Sequence, residues 1–412
     1  MEMDGLERTG VTVREAGPDD VVGGVRPGVV ALPESVEEIS AVLRACAEAG
    51  LAVVPVGGGT KLHWGHPPER CDVLLDLCCL NEVVEHAAGD LVVKTQAGVT
   101  MDALADALAE QGQELALDVP FAEGATVGGT LAAATAGPRA FRYGTARDLL
   151  IGITVVLPDG TVAKSGGRVV KNVAGYDLGK LFTGSYGTLG VIAEATFRLH
   201  PLPADRRYVV TELEPPVQKP VQKPVQTYGQ ERVQEVTAML AASQAEPSAV
   251  ELDWPGGDAP ITLAVLVEGS AAGPRAEALR AAMGAGTVTD EAPAWWGLIA
   301  DDEVLIELRF PPARTSEVLA AVRDTGLSLR GSPVAGRVWL QPGAEPPAEF
   351  AGVVSGLRER LAPLGGRVTV LAAPYEGVDR WGPVSALPLM RRVKERFDPD
   401  RQMSPGRFIG GI

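Results

Sequence analysis

Cysteine is scarce and poorly placed for cluster chemistry. The 412 residues hold four, Cys46, Cys71, Cys78 and Cys79, all in the first fifth of the chain, and none forms a C-x-x-C pair. An iron–sulfur cluster needs three or four well-spaced thiolates, and the adjacent Cys78 and Cys79 cannot supply that spacing. They read as free thiols, buried or half-buried, of a reducing compartment. Histidine is equally rare: His63, His66, His86 and His200 all precede residue 201. His63 and His66 form an H-x-x-H pair, but no third ligand accompanies them, so no metal site is expected. Positive charge is also short. Lys and Arg number 37 against 53 Asp and Glu, a formal charge of −16. A nucleic-acid partner needs a basic surface and is therefore not expected, nor is an electrostatic hold on anionic lipid. No apolar run reaches the roughly 18 residues of a membrane span. The opening Met1-Glu2-Met3-Asp4 lacks the apolar core of a signal peptide. The expectation is a cytoplasmic chain with no direct membrane span, brought to the inner face of a membrane only through partners.

What is present is an ordinary globular balance, 46% hydrophobic and 22% charged, long enough for two or three domains. Ser35 and Glu38 have capping-box spacing, and Val36, Ile39, Leu43 and Cys46 share one helical face up to Gly50. Leu51–Val56 then reads as a buried strand running into Gly57-Gly58-Gly59-Thr60. Further strands are expected at Val73–Leu77, Leu91–Thr95, Leu115–Leu117, Leu149–Leu157, Thr161–Ala163 and Gly190–Phe197, with a short helix from Met101 to Leu108. Pro216–Gln226 is a Pro-Val-Gln-Lys repeat that reads as a linker. The following stretch to residue 375 alternates alanine-rich helices with short strands, a second α+β domain. A charged helix at Arg391–Phe397 and Met403-Ser404-Pro405-Gly406-Arg407-Phe408 close the chain.

An acidic chain can bind an anionic cofactor only by local devices, chiefly backbone N–H groups and a few cations. A strand ending in Gly57-Gly58-Gly59-Thr60 exposes several N–H groups in one direction, a nest for a diphosphate. By itself a tight surface turn accounts for it equally well. It matches neither the Walker loop nor G-x-G-x-x-G. Two more backbone-exposing segments accompany it, Ala125-Thr126-Val127-Gly128-Gly129 and Gly184-Ser185-Tyr186-Gly187-Thr188-Leu189-Gly190. Three such segments suit a long, flat, polar cofactor.

The order Pro55–Thr60, Ala125–Gly129, Ala136-Gly137, Arg142-Tyr143-Gly144 and Asp148 resembles the FAD-binding domain shared by vanillyl-alcohol oxidase and p-cresol methylhydroxylase. Gly167–Leu178 (GRVVKNVAGYDL) followed by Lys180–Ser185 (KLFTGS) resembles bacterial glycolate oxidases, and within them the smaller FAD-binding subunit. The likeness covers roughly residues 30–203 and returns at Phe397–Phe408. It implies an α+β fold: a two-part FAD-binding domain of the vanillyl-alcohol oxidase type at 1–203, a linker at 204–227, a smaller α+β domain at 228–375, and a segment at 376–412 returning to the FAD domain.

The resemblance also implies site residues. Gly57, Gly58, Gly59 and Thr60 would hold the pyrophosphate, with Pro55 before them also counted among the cofactor-binding residues. Pro120, Thr126, Gly128 and Gly129 would line the flavin, flanked by Ala136, Arg142 and Gly144. Ile192 would touch the adenine end or its ribose, and Lys171 and Asn172 would sit near the ring system. Some relatives attach FAD through a histidine at the position of Gly59, and no cysteine follows Cys79, so the FAD is expected to be non-covalent. Related 2-hydroxy-acid dehydrogenases use a histidine base and metal-binding histidines in the second domain. This chain has none there; Tyr375, Glu376 and Arg380 are unmarked substitutes, and Arg309, Arg337 and Arg367 are available as a carboxylate clamp. The catalytic residues are thus unassigned. The implied role is an FAD subunit of a glycolate (2-hydroxy acid) oxidase, working with a catalytic flavin subunit and an iron–sulfur subunit. A free-standing flavin dehydrogenase or alcohol oxidase, and a non-catalytic FAD-binding protein, are the alternatives.

Overall fold

The computed structural model describes residues 3–167, 176–213, 228–299, 303–343, 347, 349–374 and 377–412. The Pro-Val-Gln-Lys repeat, Lys171, Asn172, Tyr375 and Glu376 lie outside the described residues. The chain divides into two compact units. The first comprises Met1–Thr135, Gly144–Leu202 and Pro383–Ile412; the second comprises Ala136–Tyr143 and Pro203–Gly382.

The first unit is built on two sheets. Its four-stranded sheet has the order Thr12–Glu15, Val29–Leu32, Val73–Asp76, Val53–Val56. The last three strands run parallel, and Thr12–Glu15 is antiparallel to its neighbour. The helix Val36–Ala49 connects Val29–Leu32 to Val53–Val56, the parallel strands on either side of Val73–Asp76. Ser35 caps it, its hydroxyl accepting from Glu38 N, and Gly50 ends it at φ 66°. The capping box is only half closed: Glu38 Oε2 accepts from Glu34 N (2.8 Å) rather than from Ser35 N. Ile39, Leu43 and Cys46 from this helix pack with Val53, Val73 and Leu75 in one buried cluster.

The second sheet is antiparallel, in the order Val83–Ala87, Val92–Gln96, Val191–Arg198, Leu150–Val156, Val162–Gly166. The strand expected at Leu115–Leu117 does not form. Those residues are buried but turn on themselves, Leu117 N donating to Leu115 O (2.6 Å), and pairing is confined to Gln113–Glu114 with His200–Pro201. Burial of apolar side chains sufficed to suggest a strand; a ladder partner was missing.

The second unit is one eight-stranded antiparallel sheet, ordered Thr287–Thr289, Arg206–Leu213, Ile261–Glu268, Ala249–Trp254, Leu327–Ser332, Arg337–Pro342, Leu305–Arg309, Arg367–Ala372. Strand Arg206–Leu213 occupies the first part of the stretch expected as linker. Alternate residues such as Ile306, Leu308, Val338, Leu340, Val368 and Val370 form a core with helix residues Leu240, Leu279, Val318, Leu319 and Leu357. Residues of opposite phase on the strands of this sheet include Glu251, Asp253, Glu307, Arg309, Arg330, Arg337, Arg367 and Thr369, beside the buried Leu305, Trp339 and Leu371. Among the described residues no helix is long and apolar enough to cross a membrane.

Candidate functional site

The first unit contains a cleft of about 840 Å³ when the solvent-open space at its mouth is counted. One wall is the end of strand Val53–Val56 and the loop that follows. Here the amides of Gly58, Gly59, Thr60 and Lys61 have no hydrogen-bond partner among the described residues. Gly59 adopts φ 72°, which an L side chain rarely accepts. Gly57 and Gly58 are required for a different reason. A Cβ on Gly57 would overlap the Thr126 hydroxyl, and one on Gly58 would overlap the carbonyl oxygen of Gly124. The loop is therefore pressed backbone to backbone against the second small-residue segment.

That second segment forms the opposite wall. Thr126 caps the helix Val127–Ala133, its hydroxyl accepting from Gly129 N (3.3 Å). Gly128 donates to Ala97 O (2.8 Å), and a Cβ there would meet Ala97 Cβ at 2.8 Å. The third segment contributes Tyr186, Gly187 and Gly190, and Ile192 follows on its strand. Pro55, Gly57, Gly58, Gly59, Thr60, Thr126, Gly128, Gly129 and Ile192 thus all border one cleft.

Other candidates lie elsewhere. Pro120 is buried beside Phe121 but does not border the cleft. Gly144, at φ 86°, packs on Asp148, whose carboxylate accepts from the N of Thr145, the N-cap of the short helix Ala146–Leu149. Ala136 and Arg142 belong to the second unit, where Arg142 Nη1 donates to Glu246 O (3.0 Å). The cleft of the first unit does not contain them. Of the thiols, Cys46 and Cys71 are buried, and burial pushes both up to about 12. Cys78 and Cys79 are exposed rather than buried or half-buried, because the chain turns outward after strand Val73–Asp76. Among the described residues no three His, Cys, Asp or Glu are grouped to hold a metal ion.

Two cleft residues escaped the sequence reading: Lys61 and Arg407. Lys61 Nζ donates to Thr60 Oγ1 (3.0 Å) and lies 5.7 Å from the Phe121 ring centroid. Burial lowers its pKa to about 8. Arg407, 3% exposed, donates from Nη2 to Leu62 O and Trp64 O (both 2.9 Å). Among the described residues no Asp or Glu borders the cleft. In a chain of net charge −16, a cleft carrying two cations, a run of unpartnered amides and no carboxylate is a local exception suited to a diphosphate.

Residues 27–166 match the family described as FAD binding domain. The chain carries an FAD-binding domain, and its cofactor is FAD. The donor set fits that group, with amides and cations for the diphosphate and small residues for a flat ring system. Bound there, FAD supplies a hydride acceptor. The mitochondrial D-lactate dehydrogenase [cytochrome] 1 of Saccharomyces cerevisiae is 38% identical over 192 residues, 46% of this chain and 32% of that protein. The glycolate oxidase subunit GlcD of Bacillus subtilis is 35% identical over 188 residues, 46% of this chain and 40% of that protein. The chain thus spans less than half the length of these relatives. Among solved structures, a chitooligosaccharide oxidase superposes with TM-score 0.69 at 17% identity, covering 97% of both chains. An alkyldihydroxyacetonephosphate synthase gives 0.65 at 17% identity, over 93% of this chain and 78% of that one. The fold is therefore the two-part FAD-binding architecture with a second α+β unit expected from the motifs.

Proposed function

We propose that this chain is the flavin subunit of an oxidoreductase that takes two electrons from a small 2-hydroxy acid and passes them to an iron–sulfur partner alongside a catalytic flavin subunit. The observation that carries the reading is the cationic, carboxylate-free cleft within an FAD-binding domain. Gly57, Gly58, Gly59 and Thr60 hold the diphosphate in this reading. Thr126, Gly128 and Gly129 lie along the flavin and Ile192 near the adenine end, with Lys171 and Asn172 near the ring system. In this reading the FAD is non-covalent, since among the described residues no histidine or cysteine borders the cleft; acid precipitation is then expected to release flavin to the supernatant, and flavin retained in the pellet refutes this.

The substrate class is supported by the names of the matched relatives, D-lactate dehydrogenase and glycolate oxidase, and by a feature of the second unit. Arg309 pairs in register with Arg337 on one side and Arg367 on the other, placing three arginines in one row across the sheet. Arg309 and Arg337 already hold the Glu307 carboxylate, so a substrate carboxylate would share this row of guanidinium groups with it. Oxidising a 2-hydroxy acid to the 2-oxo acid sends the carbon-bound hydrogen with its electron pair to the flavin and the hydroxyl proton to a base. The stretch 201–412 contains no histidine, which supports a base supplied by a partner subunit.

The test is anaerobic mixing of the purified chain with glycolate or D-lactate. The flavin absorbance of the isolated chain is expected to stay oxidised and to bleach when partners co-purified from the native source are added. Bleaching within about a second in the isolated chain selects a free-standing dehydrogenase instead, because a missing general base costs about 10²–10⁴ in rate.

A further inference from the structure

The two exposed thiols of the chain, Cys78 and Cys79, are neighbours, and their Sγ atoms lie 3.8 Å apart. They occupy the two central positions of a turn closed by Leu80 N, which donates to Leu77 O (3.0 Å). Cys78 N donates to Asp76 Oδ1 (3.0 Å). The turn is fastened at both ends: Leu77 N donates to Val56 O (3.0 Å), and Gly98 N to Leu80 O (2.8 Å). Gly98 passes so close beneath it that a Cβ there would overlap Leu77 O and meet Leu80 O at 2.7 Å. Leu77 and Leu80 are buried, and Val56, Leu77 and Ala97 border the cleft. A solvent-facing pair of thiols is thus one residue away from a wall of the cofactor site.

An ordinary disulfide joins Cα atoms about 4.4–6.8 Å apart through sulfurs about 2.05 Å apart. Neighbours across a trans peptide have Cα atoms only about 3.8 Å apart. A bond between Cys78 and Cys79 is therefore strained, and strained, exposed disulfides are the easily reduced ones. In a reducing compartment such a pair rests as two thiols and closes only when oxidised disulfide accumulates. Partial burial and then the Asp76 carboxylate push the Cys78 thiol up to about 12, so Cys78 is the slower nucleophile and exchange begins at Cys79. The Cys79 thiolate attacks a small disulfide, forming a mixed disulfide and expelling one small thiol. Cys78 then gives up its proton and attacks the Cys79 sulfur, expelling the second. Two electrons and two protons leave the protein, and the small disulfide becomes two thiols. The second step is between neighbours, and proximity offsets the weak acidity of Cys78. Drawing the sulfurs together from 3.8 Å deforms the turn, and its fastenings pass that deformation to Val56 and Gly98.

We propose that Cys78 and Cys79 are a reversible oxidation site, a vicinal dithiol that exchanges with low-molecular-weight disulfides, and that its closure weakens FAD binding in the adjoining cleft. The second half rests on the assignment of the cleft to FAD. By linkage, bound FAD disfavours closure of the pair by the same factor as closure disfavours FAD. Cys46 and Cys71, both buried, take no part.

The full chain, reduced and then exposed to excess glutathione disulfide, tests both halves by peptide mass spectrometry and FAD titration. The peptide carrying Cys78 and Cys79 is expected to lose two hydrogens and to retain no glutathione, while Cys46 and Cys71 stay free. FAD affinity is expected to fall by about tenfold, an ordinary strength of coupling between sites, and to return on reduction with dithiothreitol. The double variant Cys78→Ser, Cys79→Ser is expected to bind FAD as the reduced parent does, before and after the same treatment. A pair that stays as two thiols, or that stops at a glutathione adduct, overturns the oxidation site. A closed pair with unchanged FAD affinity, or an equal loss of affinity in the treated double variant, overturns the coupling. A parent chain that closes the pair but binds no FAD in either state overturns the assignment of the cleft and leaves the oxidation site standing.

Discussion

Lys394 Nζ stands 2.5 Å from Asp398 Oδ2 and donates as well to Thr188 O (2.7 Å) and Met403 O (2.9 Å). All three donors of one ammonium are thus used in a place only 5% exposed. The interaction ties the last long helix, Leu387–Phe397, to the Thr188 turn and to the segment that pairs with Val53. Lys394→Met is expected to cost about 3–5 kcal/mol, the range for stranding a buried partner charge, and to weaken FAD binding. Thermal melting and FAD titration read this, and a melting temperature within a degree of the parent's contradicts it.

At Gly58 the smallest possible side chain is already too large. Gly58→Ala places a methyl group where Gly124 O now sits, so the loop and the 124–129 segment must part. A loss of about 1–3 kcal/mol is expected, as for other overpacked sites, together with purification of a colourless protein. Gly58→Ala protein that remains yellow would show that the close approach is dispensable.

Lys61 makes cofactor affinity depend on pH. With burial holding its pKa at about 8, the free chain loses this charge as pH rises through about 8. A bound diphosphate favours the charged form and raises the value. FAD affinity is therefore expected to be flat below about pH 8 and to fall above it, by up to tenfold per pH unit. The groups facing Lys61 are the Thr60 hydroxyl and the Phe121 ring; Arg407, the other cleft cation, stays charged throughout. Lys61→Met should lower affinity at pH 7 by about tenfold, or about 1.4 kcal/mol, and remove the alkaline decline. A Lys61→Met profile that still falls above pH 8 assigns the titration elsewhere.

In the second unit, Glu307 accepts from Arg309 Nε (2.8 Å) and Arg337 Nε (2.6 Å). Burial opposes its ionisation, but Arg337 and Arg309 outweigh it and hold the carboxyl at about 2, below its ordinary 4.5. A depressed carboxyl stabilises the fold fully above the unfolded value, and that stability is lost as pH falls from about 4.5 towards about 2. Glu307→Gln should destabilise the chain by about 3–5 kcal/mol at pH 7 and flatten the acid limb of its melting-temperature profile. An unchanged acid limb would place the acid sensitivity in other carboxylates.

The parts of the site that were legible in the sequence are those in which local chemistry and tertiary role coincide. Leu51–Val56 is continuously apolar because it is buried in a parallel sheet, and three glycines follow because each meets a separate steric demand. Thr126 could be read as a cap because the residues after it have no competing use. Lys61 was not legible, since a lysine after a loop is ordinarily a solvated charge and only its burial against Phe121 distinguishes it. Arg407 was not legible as a cleft residue because its partners Leu62 and Trp64 lie 345 and 343 positions away. Arg142 shows the converse. It sits in the middle of a motif, yet it belongs with Glu246, whose carbonyl it holds, to the second unit of the chain.

The separation between Leu62 and Arg407 also sets an order of events during biosynthesis. The glycine loop leaves the ribosome ahead of the arginine that braces it, which follows 345 residues later, roughly 20–70 s at ordinary elongation rates. Throughout that interval the nascent first unit has an unbraced loop, and Val53 lacks the backbone partner that residues 402–404 provide. Flavin loading is consequently expected to follow the synthesis of Arg407, and cofactor present at that later moment is expected to favour maturation over capture by chaperones and proteases.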